Sequence, residues 1–168
     1  MKISLIEMFG TKADIKWKPS STGEIGSFAL GDQEFEIVYN EYDPIKLEGG
    51  ASSGELVEVG FSRIKDDKPT IELTNNHDAI KVFSVILNGL HDKFMKGGYP
   101  TTLFFSAKRG DDYDRRASFY TKLQYRISKF GYDVVRPITN AHGTHFILTK
   151  TDLSGEDFAK LKKLVVAL

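Results

Sequence analysis

Thr101-Thr102-Leu103-Phe104-Phe105-Ser106-Ala107 is the stretch that decides the fold. It is apolar, of strand length, and flanked by two segments with helical spacing, so it reads as an interior strand of an α+β protein. Upstream, Ala79, Phe83, Ile86, Leu90 and Phe94 recur at spacings of 4, 3, 4 and 4, and Val82 and Leu87 widen the stripe. That spacing predicts a buried-face helix from Ala79 to about Phe94, with Asn76 or Asp78 as its cap and Gly97-Gly98 as its stop. Downstream, Tyr113, Ala117, Tyr120, Leu123, Ile127 and Phe130 form the stripe of a second helix, from about Asp112 to Phe130. Asp111 and Asp112 suit its positive end, and Gly131 suits its stop. Strands are expected over Tyr132 to Arg136 and His145 to Thr149, joined by a turn through Asn140 and Gly143. A short C-terminal helix follows, where Ser154 with Asp157 resembles a capping box and Leu153 with Phe158 has the spacing of a hydrophobic staple.

The first 75 residues have a different period. Ile3, Leu5 and Met8-Phe9 suggest a first strand. Phe28-Ala29-Leu30 runs into a tight turn at Gly31-Asp32, after which Phe35, Ile37 and Tyr39 alternate with Glu34, Glu36 and Val38. Val57, Val59 and Phe61 alternate with Glu58, Gly60 and Ser62. The turn Lys65-Asp66-Asp67-Lys68-Pro69 leads to a strand over Thr70–Thr74, and Glu48-Gly49-Gly50-Ala51-Ser52-Ser53-Gly54 reads as a surface loop. The expected organisation is one domain over 1–168: an N-terminal meander to 75, a core over 76–150 and a terminal helix over 151–168. Its sheet is mixed, mostly antiparallel and flanked by helices.

Composition narrows the function classes. Lys plus Arg and Asp plus Glu both number 23, so the formal charge is zero, which argues against a domain that holds nucleic acid by bulk positive charge. There is no cysteine, so disulfides and thiolate metal sites are excluded. The apolar run at Met1–Phe9 is too short for a secretory h-region, and Glu7 interrupts it. No 18-residue apolar run occurs, so no helical membrane span is expected and a cytoplasmic location is.

From residue 70 the expected order is strand, turn, helix, strand, helix, strand, strand, preceded by a meander. With Ala117, Phe119-Tyr120 and Gly131-Tyr132 on the second helix and just after it, this resembles the GNAT acetyltransferase superfamily over roughly the last 100 residues. It is similar also to phage-encoded acetyltransferase-like proteins, whose place is the host cytoplasm or the virion. The resemblance implies acetyl-CoA as cofactor and a small amine as acceptor. It also implies a pyrophosphate-binding turn at Asn75, Asn76, His77, Asp78 and Ala79, where a helix N-terminus offers free N–H groups. It implies Tyr120 as the general acid for the departing thiolate, and Glu72 as the nearest candidate base. Two features depart from the family. In Thr74-Asn75-Asn76-His77-Asp78-Ala79 only Ala79 fits the loop pattern, with no glycine and with a carboxylate beside the expected phosphate. Tyr120 and Gly131 lie eleven positions apart, about seven more than usual, which adds roughly two helical turns.

Other residues carry competing chemistry. Lys108, Arg109, Arg115 and Arg116 cluster at the strand-to-helix junction among Tyr113, Phe119 and Tyr125, a pattern that suits a nucleotide, a CoA phosphate or a nucleic-acid backbone. Asp111, Asp112 and Asp114 offset it, so a solvated, internally paired helix face is the simpler account. His142-Gly143-Thr144 resembles the His-x-Thr element of 2H phosphoesterases, but such enzymes need two copies and one is present. His142 and His145 have no third ligand at zinc spacing, so no metal site is expected. Trp17 suits either a partner anchor or packing over a sheet edge. Three readings follow: an acyl-CoA N-acyltransferase, a cofactor-less GNAT-like module that binds a protein partner (a phage accessory, inhibitor or virion component), and a nucleotide or nucleic-acid binder.

Overall fold

The computed structural model describes residues 13–42, 56–70, 76–110, 113–150 and 155–167, with the backbone alone at 68–70, 76–80, 157, 158 and 164. The strands are β1 (Lys16–Pro19), β2 (Gly23–Leu30), β3 (Gln33–Tyr42), β4 (Leu56–Lys65), β5 (Lys68–Thr70), β6 (Thr102–Lys108), β7 (Asp133–Val134), β8 (Ile138–Asn140) and β9 (Gly143–Thr149). The helices are α1 (Asn76–Gly97), α2 (Tyr113–Ile127) and α3 (Gly155–Ala167). The nine strands form one sheet in the order β1-β2-β3-β4-β6-β9-β7, with β5 beside β4 and β8 beside β9. The fold is α+β with a mixed, mostly antiparallel sheet, as expected. The parallel ladder joins β4 to β6, because a helix, α1, separates them in sequence.

The chain divides into two compact units, one from Met1–Val38 and Phe61–Tyr99, the other from Tyr39–Gly60 and Pro100–Leu168. In the first unit the Phe35 ring stacks between those of Phe28 and Phe61, with centroids 5.2 and 5.7 Å away. Val82, Ile86, Leu87, Leu90 and Phe94 of α1 are buried, as their spacing implies, while Phe83 of the same stripe is half-buried and Val85 beside it is buried. Trp17 lies on the edge strand β1, its ring 4.2 Å from Lys93 Nζ, and Lys93 also pairs with Glu24. Asp66 and Asp67 both take positive φ (53° and 61°), the conformation that a two-residue hairpin between β4 and β5 requires.

In the second unit β6 and β9 face each other at seven positions, from Thr102↔Thr149 to Lys108↔Gly143. Alternation sends Phe105 and Phe146 to one face, where both rings meet Tyr120 of α2. Phe104 and Ile147 go to the other face and form a fully buried cluster with Leu56 and with Leu161 and Val165 of α3. Thr101–Ala107 is therefore interior, with β4 and β9 on its two sides.

Several boundaries differ from expectation. The backbone of helix α1 is described from Asn76, which puts Asn76 and Asp78 in its first turn. Helix α2 begins at Tyr113, ends at Ile127 and tightens into a 3-10 turn over Ser128–Phe130, stopped by Gly131 at φ 100°. The strand expected over Tyr132 to Arg136 shrinks to two residues, and β8 appears after it. Pro137 has no N–H to give the ladder, and the chain takes four steps from Val134 to Ile138 while β9 takes three from Leu148 to His145. The first strand, the glycine loop at 48–54, the strand over 71–74 and the Ser154 and Leu153 capping contacts lie outside the described residues. Among the described residues no helix is long and apolar enough to cross a membrane.

The turn at Asn140–Gly143 forms as expected, with Asn140 Oδ1 accepting from the backbone N–H groups of His142 (2.8 Å) and Gly143 (3.1 Å). Gly143 has φ 150°, and a Cβ there would lie 2.1 Å from the Ala107 carbonyl oxygen. Gly143→Ala should therefore lower the folding free energy by about 2 kcal/mol or more, read as a fall in urea midpoint. An unchanged midpoint would mean that the end of the β6–β9 ladder relaxes freely.

Candidate functional site

Of the expected catalytic residues, Tyr120 is among those described. Tyr120 is 1 % exposed, stacked on Phe105 at 5.4 Å, and its hydroxyl accepts from Arg116 Nη1 at 3.3 Å. This is the burial that its place on the α2 stripe implies. Glu72 and Asn75 lie outside the described residues, and Asn76, His77, Asp78 and Ala79 form the opening turn of α1. At the junction of β6 and α2, Lys108 and Arg115 are exposed, and the Arg109 guanidinium lies 4.2 Å from the centre of the Tyr113 ring. Arg109 and Arg116 are thus both engaged by tyrosines. His142 is exposed in its turn while His145 points into the sheet face, so the two do not converge, and among the described residues no three metal-ligating side chains cluster. Thr144 of the His-x-Thr element bonds the Tyr113 hydroxyl at 2.6 Å and faces Thr139 at 3.1 Å.

A different group of side chains does come together, all within the second unit. Leu56 and Phe104 share the α3 side of the sheet, so alternation places Glu58 and Ser106 there too, with Ile147 and His145 of β9. Glu58 is the last residue of β4 in the parallel ladder, opposite Phe104. Its half-buried carboxylate accepts two hydrogen bonds, from Asn40 Nδ2 and from the Tyr42 hydroxyl, both at 3.2 Å. Burial, then the Glu58 charge and the bond to it, push the Tyr42 hydroxyl above its ordinary pKa, while Asn40 opposes them; Tyr42 therefore remains a donor.

One row further along the same face, Ser106 and His145 sit directly opposite each other, with Ser106 Oγ 2.8 Å from His145 Nδ1. His145 is 8 % exposed, and its buried Nε2 has no hydrogen-bond partner among the described residues. Burial lowers its pKa, the Glu58 charge raises it and the Lys108 charge lowers it, so the ring is neutral near pH 7. Carboxylate, phenol, hydroxyl and neutral imidazole on one face are a set able to accept and return protons.

Sequence reasoning missed this group. Glu58 was legible only as the polar half of an alternating strand, and Ser106 as one polar residue in an apolar run. Asn40 and Tyr42 follow Tyr39 with nothing to distinguish them. The first unit also holds a concavity floored by Phe28, Phe35 and Ile64 and rimmed by Asp14, Glu34 and Asp67. Comparison with family models, curated proteins and solved structures finds no match to this chain.

Because the fold disfavours the charged form of His145, the unfolded chain binds the extra proton more readily below the ordinary value of 6.5. The stability tied to the neutral ring is intact above that pH and is lost as the pH falls below it. Thermal melts between about pH 7.5 and pH 5.5 should show a falling midpoint, and His145→Gln should flatten that fall. An equal slope in the variant would assign the pH dependence elsewhere.

Proposed function

We propose that the chain is a divergent GNAT-like acyl-CoA N-acyltransferase in which Glu58 removes the proton from an amine acceptor. An amine bound as an ammonium ion must lose a proton before it attacks a thioester, and a positioned carboxylate is a suitable acceptor. The observation that carries the reading is Glu58 on β4, held by Asn40 and Tyr42 and facing the same side as His145. It takes the place that the resemblance gave to Glu72. The order of the described elements also supports it: a meander, then α1, β6, α2 and the closing strands, with β4 and β6 as a parallel pair.

The absence of glycine from Thr74–Ala79 favours a second reading, a cofactor-less module that binds a protein partner. The two separate in one calorimetric titration with acetyl-CoA. Saturable binding at micromolar concentration is the result expected of the acyltransferase, and no heat of binding at millimolar acetyl-CoA would discard it in favour of the module. Binding of an oligonucleotide that weakens steeply with salt would instead favour the nucleic-acid reading of Lys108, Arg109, Arg115 and Arg116. With an amine acceptor in hand, Glu58→Gln should keep acetyl-CoA binding and lower turnover about 10²- to 10⁴-fold. Tyr120→Phe keeps the stacked ring and should leave turnover unchanged, since the buried hydroxyl is engaged by Arg116. A large loss in that variant would restore Tyr120 as the acid.

A further inference from the structure

We propose that Ser106 and His145 form a nucleophile–base pair that takes an acyl group from an activated ester or thioester. Three observations meet at this pair. The residues occupy facing positions on β6 and β9, a cross-strand arrangement that brings Ser106 Oγ to 2.8 Å from His145 Nδ1. His145 is more than nine-tenths buried, yet among the described residues its Nε2 has no hydrogen-bond partner, a cost to stability that packing alone leaves unexplained. Ser106 is only half-buried, so the hydroxyl that its partner would activate lies nearer the surface than the base does.

A serine hydroxyl is a weak nucleophile until a neighbouring base takes its proton. With the ring neutral and its proton on Nε2, Nδ1 offers a lone pair to the hydroxyl. Attack forms the bond from Oγ to the acyl carbon while the hydroxyl proton passes to Nδ1. Collapse breaks the bond from that carbon to the leaving sulfur or oxygen, and the leaving group departs with the proton from Nδ1. Water or an amine then releases the acyl group from Ser106 and regenerates the pair. The imidazolium between these steps gains from the Glu58 charge and is opposed by burial and by Lys108. It therefore forms only in passing, as turnover requires.

The pair needs no CoA moiety, so its test uses p-nitrophenyl acetate and stands whatever the acetyl-CoA titration gives. The full chain should release nitrophenolate in a burst of about one equivalent, with the acetyl group mapped to Ser106 by peptide mass spectrometry. Ser106→Ala should abolish both, with folding checked by its melting curve. His145→Gln should slow the burst about 100-fold or more. Where His145→Gln does not fold, Ser106→Ala decides alone. A wild-type chain that is not acetylated, one acetylated only on lysines, or a burst unchanged in Ser106→Ala would overturn the proposal.

Discussion

The ladder between β6 and β9 has seven facing pairs, and its register determines which side chains meet in the second unit. Because side chains alternate across a strand, two different surfaces result. Phe105 and Phe146 present aromatic rings to Tyr120 of α2. Phe104 and Ile147 present an apolar platform to Leu161 and Val165 of α3. A slip of one residue would exchange the two sets and drive His145 toward the aromatic side. The register is held at both ends: Thr102 meets Thr149 at one, and at the other Gly143 lies so close to Ala107 that no side chain fits.

That register also accounts for the polar row. Ser106 and His145 follow directly after Phe104 and Ile147, and Glu58 lies beside Phe104 across the parallel ladder. Groups so placed lose water to their apolar neighbours and must find partners within the protein. Glu58 finds Asn40 and Tyr42, and among the described residues His145 finds Ser106 on one nitrogen only. The same desolvation that makes the unpartnered nitrogen costly keeps the imidazole neutral and able to accept a proton. A single environment thus destabilises the site and equips it for proton transfer.

Helical elements were legible in the sequence because their signal is periodic and local. The buried stripe of α1 lies at the spacing of Ile86, Leu90 and Phe94, and the 3-10 turn that follows α2 stops at Gly131, whose φ of 100° suits few other residues. The interior position of Thr101–Ala107 followed from an apolar run too short for a helix and flanked by two. The strand read over Tyr132 to Arg136 keeps only Asp133 and Val134, and the short strand β8 beyond Pro137 was not anticipated, because a ladder of three residues leaves little periodicity to read.

By itself the sequence determined the α+β class, the helical stripes and the turns, since each depends on residues only a few positions apart. Only the tertiary structure decided that Asn40, Tyr42, Glu58, Ser106 and His145 belong together. Up to 105 positions separate them, and nothing in local periodicity relates such distant residues. Pairing register does so, because each facing pair on β6 and β9 fixes which chemistry from one strand meets which from the other. Tyr120 illustrates the converse: its place on the α2 stripe was plain in the sequence, while its enclosure by Phe105, Phe119 and Phe146 depended on how the sheet packs against that helix.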